Sequence, residues 1–261
     1  MTDSLQVVTR VEGKLFYAEN VDEALVNCQT AGYNAIFMPQ IIDNRIDVPK
    51  DSLFFANWLT ALSVRATGKT KQNNAVVVYA HVPNYFSNSD NIATAKKQGL
   101  LKGAGIMPQD EFQRLLDLED NVNVFVVDYN TLKSSSSGVI LVKNALSHPQ
   151  TIPFIGGRER AEKYLEKYVQ VYGKKIGIWY SGELNDKPVG RLLYVGYYDG
   201  DGRNGSSDLG YYGRFVGVRN ASAEGARENL PKLEQILNVV NEFVAPVNAN
   251  EINARLEALY K

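Results

Sequence analysis

Two short apolar runs most constrain how this chain can fold: Ala75–Ala80 (AVVVYA) and Val122–Asp128 (VNVFVVD). Valines and aromatics that follow one another without polar alternation suit strands buried on both faces, the usual state of a parallel sheet covered by helices. Helical patterns lie between such runs. Asn20 opens one, with Glu23 three residues on in a capping-box arrangement, and Gly32 closes it. Pro108 opens another, with Asp110 and Glu111 in a first turn where the helix dipole favours negative charge. Arg158–Tyr172 places Ala161, Leu165, Tyr168 and Val169 on one helical face.

Asn34–Gln40, Thr151–Ile155 and Lys175–Ser181 read as further strands, although Pro153 weakens the second. Asp51 or Ser52 can cap a helix running to about Val64, in which Leu53, Phe54, Trp58, Leu59 and Leu62 share a face and Trp58 belongs to the core. Strands alternating with helices predict the α/β class, a mainly parallel, mixed sheet with helices on both faces. Leu192–Tyr198 and Tyr211–Val218 flank a loop of Gly, Asp, Ser and Asn and predict a late antiparallel hairpin extension. Residues 223–245 and 249–260, divided at Pro246, predict C-terminal helices with an apolar stripe through Leu230, Leu233, Ile236, Leu237 and Val240. The expectation is one α/β domain over residues 1–261, with a subdivision near 185–220 and a helical C-terminal segment at 223–261.

Charge removes one class of function. Lys and Arg total 28 against 29 Asp and Glu, a net charge of -1, so nucleic-acid binding is disfavoured. The single cysteine, Cys28, excludes an internal disulfide framework and a multi-cysteine zinc site, and its helical setting beside Ala24 and Leu25 reads as a buried thiol. The start MTDSLQVVTRVEG lacks the pattern of a secretory signal, and no apolar run approaches the roughly 20 residues of a membrane span. A cytoplasmic protein without membrane contact is expected.

Chemistry in an open α/β sheet gathers where strands end. His81 follows AVVVY directly, and an imidazole there could act as a general base with Asp128, at a neighbouring strand end, orienting it. Asn84 and Tyr85 follow as ligand contacts. The turn Gly156, Gly157, Arg158 offers backbone N–H groups and a cation to an anion, half of a phosphate-binding arrangement. GKT at 68–70 is not a P-loop, because Ser63 stands where the first glycine is required. Asp199 and Asp201 match the first and third ligand positions of a calcium loop before Arg203 breaks the pattern, so a divalent metal is the one cofactor suggested.

Two readings follow. In the first, the crevice binds a small phosphorylated or nucleotide-like ligand, and the protein is a hydrolase or transferase using His81. In the second, a non-catalytic interaction protein self-associates, as a homo-oligomer, through its Tyr/Gly-rich hairpin and C-terminal helices. Tyr194, Tyr197, Tyr198, Tyr211 and Tyr212 would then serve packing or partner contact, with a ligand platform as the other use of an exposed aromatic face.

Overall fold

The computed structural model describes residues 11–135, 138–179, 184–196, 203–206 and 208–220. Residues 13–218 form one compact unit, and Met1–Glu12 with Arg219–Lys261 form a second. The helices and apolar stripe expected at 223–261 lie outside the described residues.

Strand β1 (Val11–Ala18) leads into helix α1 (Val21–Thr30), the two-residue β2 (Asn34–Ala35) and α2 (Met38–Asp47). A single turn, α3 (Leu53–Ala56), precedes the longest strand, β3 (Leu59–Lys69), and β4 (Ala75–Ala80). A 3₁₀ turn at Tyr85–Ser87 opens a helical stretch, α4 (Ser89–Gln98), followed by β5 (Gly105–Ile106) and α5 (Gln109–Asp117). Then come β6 (Val124–Asp128), α6 (Tyr129–Ser134), β7 (Gly138–Leu141), α7 (Val142–Ala145), α8 (Thr151–Ile155) and α9 (Arg158–Tyr172). Strands β8 (Lys175–Ile178), β9 (Val189–Val195), β10 (Arg203–Ser206) and β11 (Gly213–Asn220) complete the sheet.

Antiparallel pairing dominates this sheet. Strand β3 pairs antiparallel with β4 and β9, β4 with β6, β7 with β8, and β9 with β5 and β10. Strand β3 with β11 and β8 with β10 run parallel. The expected mainly parallel sheet is therefore corrected. The apolar run of β4 has another cause: Val77 and Tyr79 enter one hydrophobic core, while Val76, Val78 and Ala80 enter a second on the opposite face. Burial on both faces erases alternation whichever way the neighbours run.

The expected hairpin is corrected as well. The strand order is β1-β11-β3-β9-β10-β8-β7, so β3 lies between the two pieces that were to pair directly. Strand β3 itself arises where a helix was expected. Its buried pattern is nearly continuous, and the helical spacing of Trp58, Leu59 and Leu62 is incidental to it. Thr151–Ile155 is helix rather than strand, and Pro153 fits because N–H groups in a helix's first turn have no intrahelical partner.

Helix α1 packs on β11 with Cys28 fully buried beneath it, its Sγ 3.6 Å from the Tyr33 carbonyl. Burial pushes this thiol up to about 11. Native protein is thus expected to leave Cys28 unmodified by a thiol reagent at pH 8 and to react only in denaturant. Rapid stoichiometric labelling under native conditions would mean that α1 opens readily from the sheet.

Candidate functional site

His81 does not stand in a crevice. Its Nε2 lies 2.8 Å from the Pro153 carbonyl and its Nδ1 2.8 Å from Ser63 Oγ. A carbonyl only accepts, so Nε2 carries the proton; Nδ1 then accepts from the Ser63 hydroxyl, which itself accepts from Met38 N–H at 2.8 Å. Ser63 is available because the register of β3 on β9 shifts between Thr60 and Val64. Burial lowers the imidazole to about 4, so it is a neutral tie between β3, β4 and α8 at pH 7.

Asp128 is not its partner. In the antiparallel pairing of β4 with β6, Asp128 sits opposite Val76, whereas His81 N–H bonds Asn123 O at the far end. Antiparallel direction thus separates two residues that a parallel sheet would have brought to one edge. Asp128 instead caps α6, its Oδ1 accepting from Thr131 N–H at 2.7 Å. Asn84 is buried and spent on the chain: Nδ2 donates to Leu62 O and Val82 O, and Oδ1 accepts from Phe86 N–H. Tyr85 packs edge-on against Phe86.

Gly156 (φ +85) and Gly157 (φ +125) join α8 to α9, and a Cβ on Gly156 would come within 2.6 Å of Pro39. A surface cavity of about 330 Å³ lies beside them. Its cations are matched by acids: Arg160 Nε is 2.7 Å from Asp43, Lys163 Nζ 2.7 Å from Glu159 and Arg158 Nη1 3.6 Å from Glu162. Asp199 and Asp201 lie outside the described residues. Among the described residues no group of three or more His, Cys, Asp or Glu is placed to hold a metal ion.

A different surface collects unusual side chains. Tyr17 of β1 is 52% exposed, and Tyr211 and Tyr212, just before β11, are 64% and 54% exposed. Trp58, just before β3, packs 5.2 Å from Tyr212 and 6.3 Å from Tyr17, and Tyr212 lies 6.3 Å from Tyr211. The Arg214 guanidinium stands over two of these rings, 4.7 Å from the centre of Trp58 and 5.2 Å from Tyr17. Its Nη1 donates to Asn57 Oδ1 at 2.8 Å, and its backbone N–H reaches Thr60 Oγ1 at 3.3 Å. The adjacency of β1, β11 and β3 assembles the cluster from residues 17, 57–58 and 211–214.

No family model matches the sequence, and no curated protein matches it. A solved structure is similar across 81% of this chain and 100% of its own, at 57% identity and a TM-score of 0.74. It comes from a study of the accommodation of massive sequence variation in Nanoarchaeota by the C-type lectin fold. This chain belongs to the C-type lectin fold family. The lectin-fold assignment overturns the α/β crevice and, with it, the reading of a hydrolase or transferase acting on a phosphorylated ligand through His81. It favours the second reading, a non-catalytic binding or structural protein. Among the described residues of this lectin fold, no helix is long and apolar enough to cross a membrane.

Tyr17, Asn57 and Arg214 carry no signal in the sequence, and the helical spacing around Trp58 points to a core helix instead. The doubled tyrosines before β11 were the one visible sign, and they mark only one edge of the cluster.

Proposed function

We propose that this chain is a non-catalytic binding protein whose C-type lectin fold presents Tyr17, Trp58, Tyr211, Tyr212 and Arg214 to a protein partner. One observation carries the reading: an arginine stacked on Trp58 and Tyr17, its guanidinium oriented by Asn57, within a group of exposed tyrosines. Tyr and Trp supply large, stiff, amphipathic contact area at low entropic cost, and Arg, Tyr and Trp dominate binding hot spots. In sequence, the stretch 196–212 that ends in Tyr211 and Tyr212 is rich in Gly, Tyr, Ser and Asn, the residues enriched in antibody paratope loops.

The rings stand outside the two cores, so substitutions among them leave the packed sheet untouched. The similar structure comes from a study of massive sequence variation accommodated by this fold, which supports such a division between scaffold and surface.

Panning a displayed library of natural protein fragments on the wild-type chain, with no depletion on any variant, tests the proposal. Trp58→Ala and Tyr212→Ala are each expected to weaken the recovered complexes by roughly 2 kcal/mol, about thirtyfold in Kd. Thermal stability should hardly move for Tyr212→Ala, because that ring is more than half exposed. Partners that bind wild type and both variants equally would place the binding surface elsewhere.

A further inference from the structure

Helix α3 is a single turn, so its carbonyls have no later turn to bond them. Side chains take them instead. Leu53 O accepts from Asn57 Nδ2 at 3.0 Å, Phe54 O from Arg45 Nε at 2.8 Å and Phe55 O from the Tyr172 hydroxyl at 3.1 Å. The Asn57 carbonyl accepts from Arg45 Nη2 at 3.3 Å. Arg45 is fully buried, its Nη1 donates to the Tyr164 hydroxyl at 3.0 Å, and its guanidinium lies 5.4 Å from the centre of the Phe55 ring.

These hydrogen bonds go to carbonyls and a phenol rather than to a carboxylate. Burying a guanidinium is costly, and an apolar side chain of similar volume often serves stability as well or better. Lysine could not replace it either, since only a planar fork reaches two carbonyls three residues apart while also meeting a third group. What Arg45 supplies is geometry. Cations at a helix's carbonyl end also complement its dipole, and this one lies where the backbone turns from α3 into β3. That turn contains Asn57 and Trp58.

We infer that Arg45 is a positioning residue for the aromatic surface. By capping α3 it sets the backbone at Asn57 and Trp58, and through Asn57 Oδ1 it sets Arg214 over Trp58 and Tyr17. The inference rests on the reading of that surface as the binding site, yet it can be tested with no partner present. The chain has two tryptophans, Trp58 and Trp179. A Trp179→Phe background makes Trp58 the sole reporter, and a Trp58→Phe background isolates Trp179.

In the first background, Arg45→Met is expected to red-shift the emission and raise acrylamide quenching about twofold, as the stacked cation leaves the indole face. In the second, the same substitution should leave Trp179 unchanged. Unaltered Trp58 quenching, or equal changes at both reporters, would overturn the inference, since a merely structural arginine loosens the fold without singling out one ring. If Arg45→Met does not unfold cooperatively, Tyr172→Phe carries the test. It removes one carbonyl donor without stranding a charge, and it should raise Trp58 quenching in the same direction with Trp179 unmoved; no change at Trp58 would overturn the inference. Loss of partner binding by Trp58→Ala is a separate result, so failure of the binding reading would be distinguishable from failure of this one.

Discussion

Lowering the pH from 7 to 4 is expected to remove about 3 kcal/mol of stability through His81 alone. Its folded-state value of about 4 lies below the ordinary 6.5 because burial disfavours the imidazolium. Between these values the unfolded chain takes up a proton that the folded chain refuses. The contribution is therefore fully present above pH 6.5, declines as pH falls, and levels off below about 4. Charging would also oppose the network itself, because Nδ1 would then need to donate to a serine hydroxyl that now donates to it.

Urea midpoints of wild type and His81→Gln at pH 7.5 and 4.5 isolate the effect. Carboxylates titrate alike in both, so wild type should lose about 2.5 kcal/mol more than the variant over that interval. Equal losses would show that the imidazole is not the group responsible. The variant should also be less stable at pH 7.5, since glutamine does not reproduce both hydrogen bonds and leaves a buried group unpaired at a cost of about 1–3 kcal/mol.

Gly217→Val is expected to cost about 3 kcal/mol, the upper part of the usual range for overpacking. A Cβ at this position would lie 2.6 Å from Cys28 Sγ, 2.7 Å from the Phe16 ring and 2.7 Å from Tyr33 Cβ. All three neighbours are buried. Gly213, four residues earlier on the same strand, also meets α1, with a Cβ 2.8 Å from the Val21 backbone. Together these glycines let helix α1 lie directly on β11.

The approach also serves the aromatic surface, because Val21 N–H bonds Tyr211 O at 2.9 Å and so ties the doubled tyrosines to the helix start. Denaturant midpoints measure the cost at Gly217. A midpoint close to wild type would mean that α1 can move off the strand without loss, which its fully buried Val21, Ala24, Leu25 and Cys28 argue against.

Much of the local structure was legible in the sequence. Helix α1 starts and stops close to its Asn20 and Gly32 signals, α5 follows Pro108, and Arg158–Tyr172 is helical over its full length. Strand β4 spans Ala75–Ala80 as its valines imply, and β6 ends on Asp128. Each of these rests on residues close along the chain, where spacing, caps and β-branching act directly on the backbone.

Whatever depended on which strands meet, and in which direction, was decided by tertiary structure. A run buried on both faces gives no sign of its neighbours' orientation, so AVVVYA fits a parallel sheet as well as the antiparallel one it occupies. The valine run alone is consistent with His81 beside Asp128, whereas the antiparallel pairing of β4 with β6 separates them by the length of β4. The same ambiguity hides the aromatic surface. Tyr17, Trp58 and Arg214 are distant in sequence, and they meet because β3 enters between β9 and β11 while β1 closes on the other side of β11. Local composition determined the pieces and the doubled tyrosines. Long-range pairing determined that these tyrosines face a tryptophan and a stacked arginine, because contact across a sheet depends on register and strand order, which no local pattern encodes.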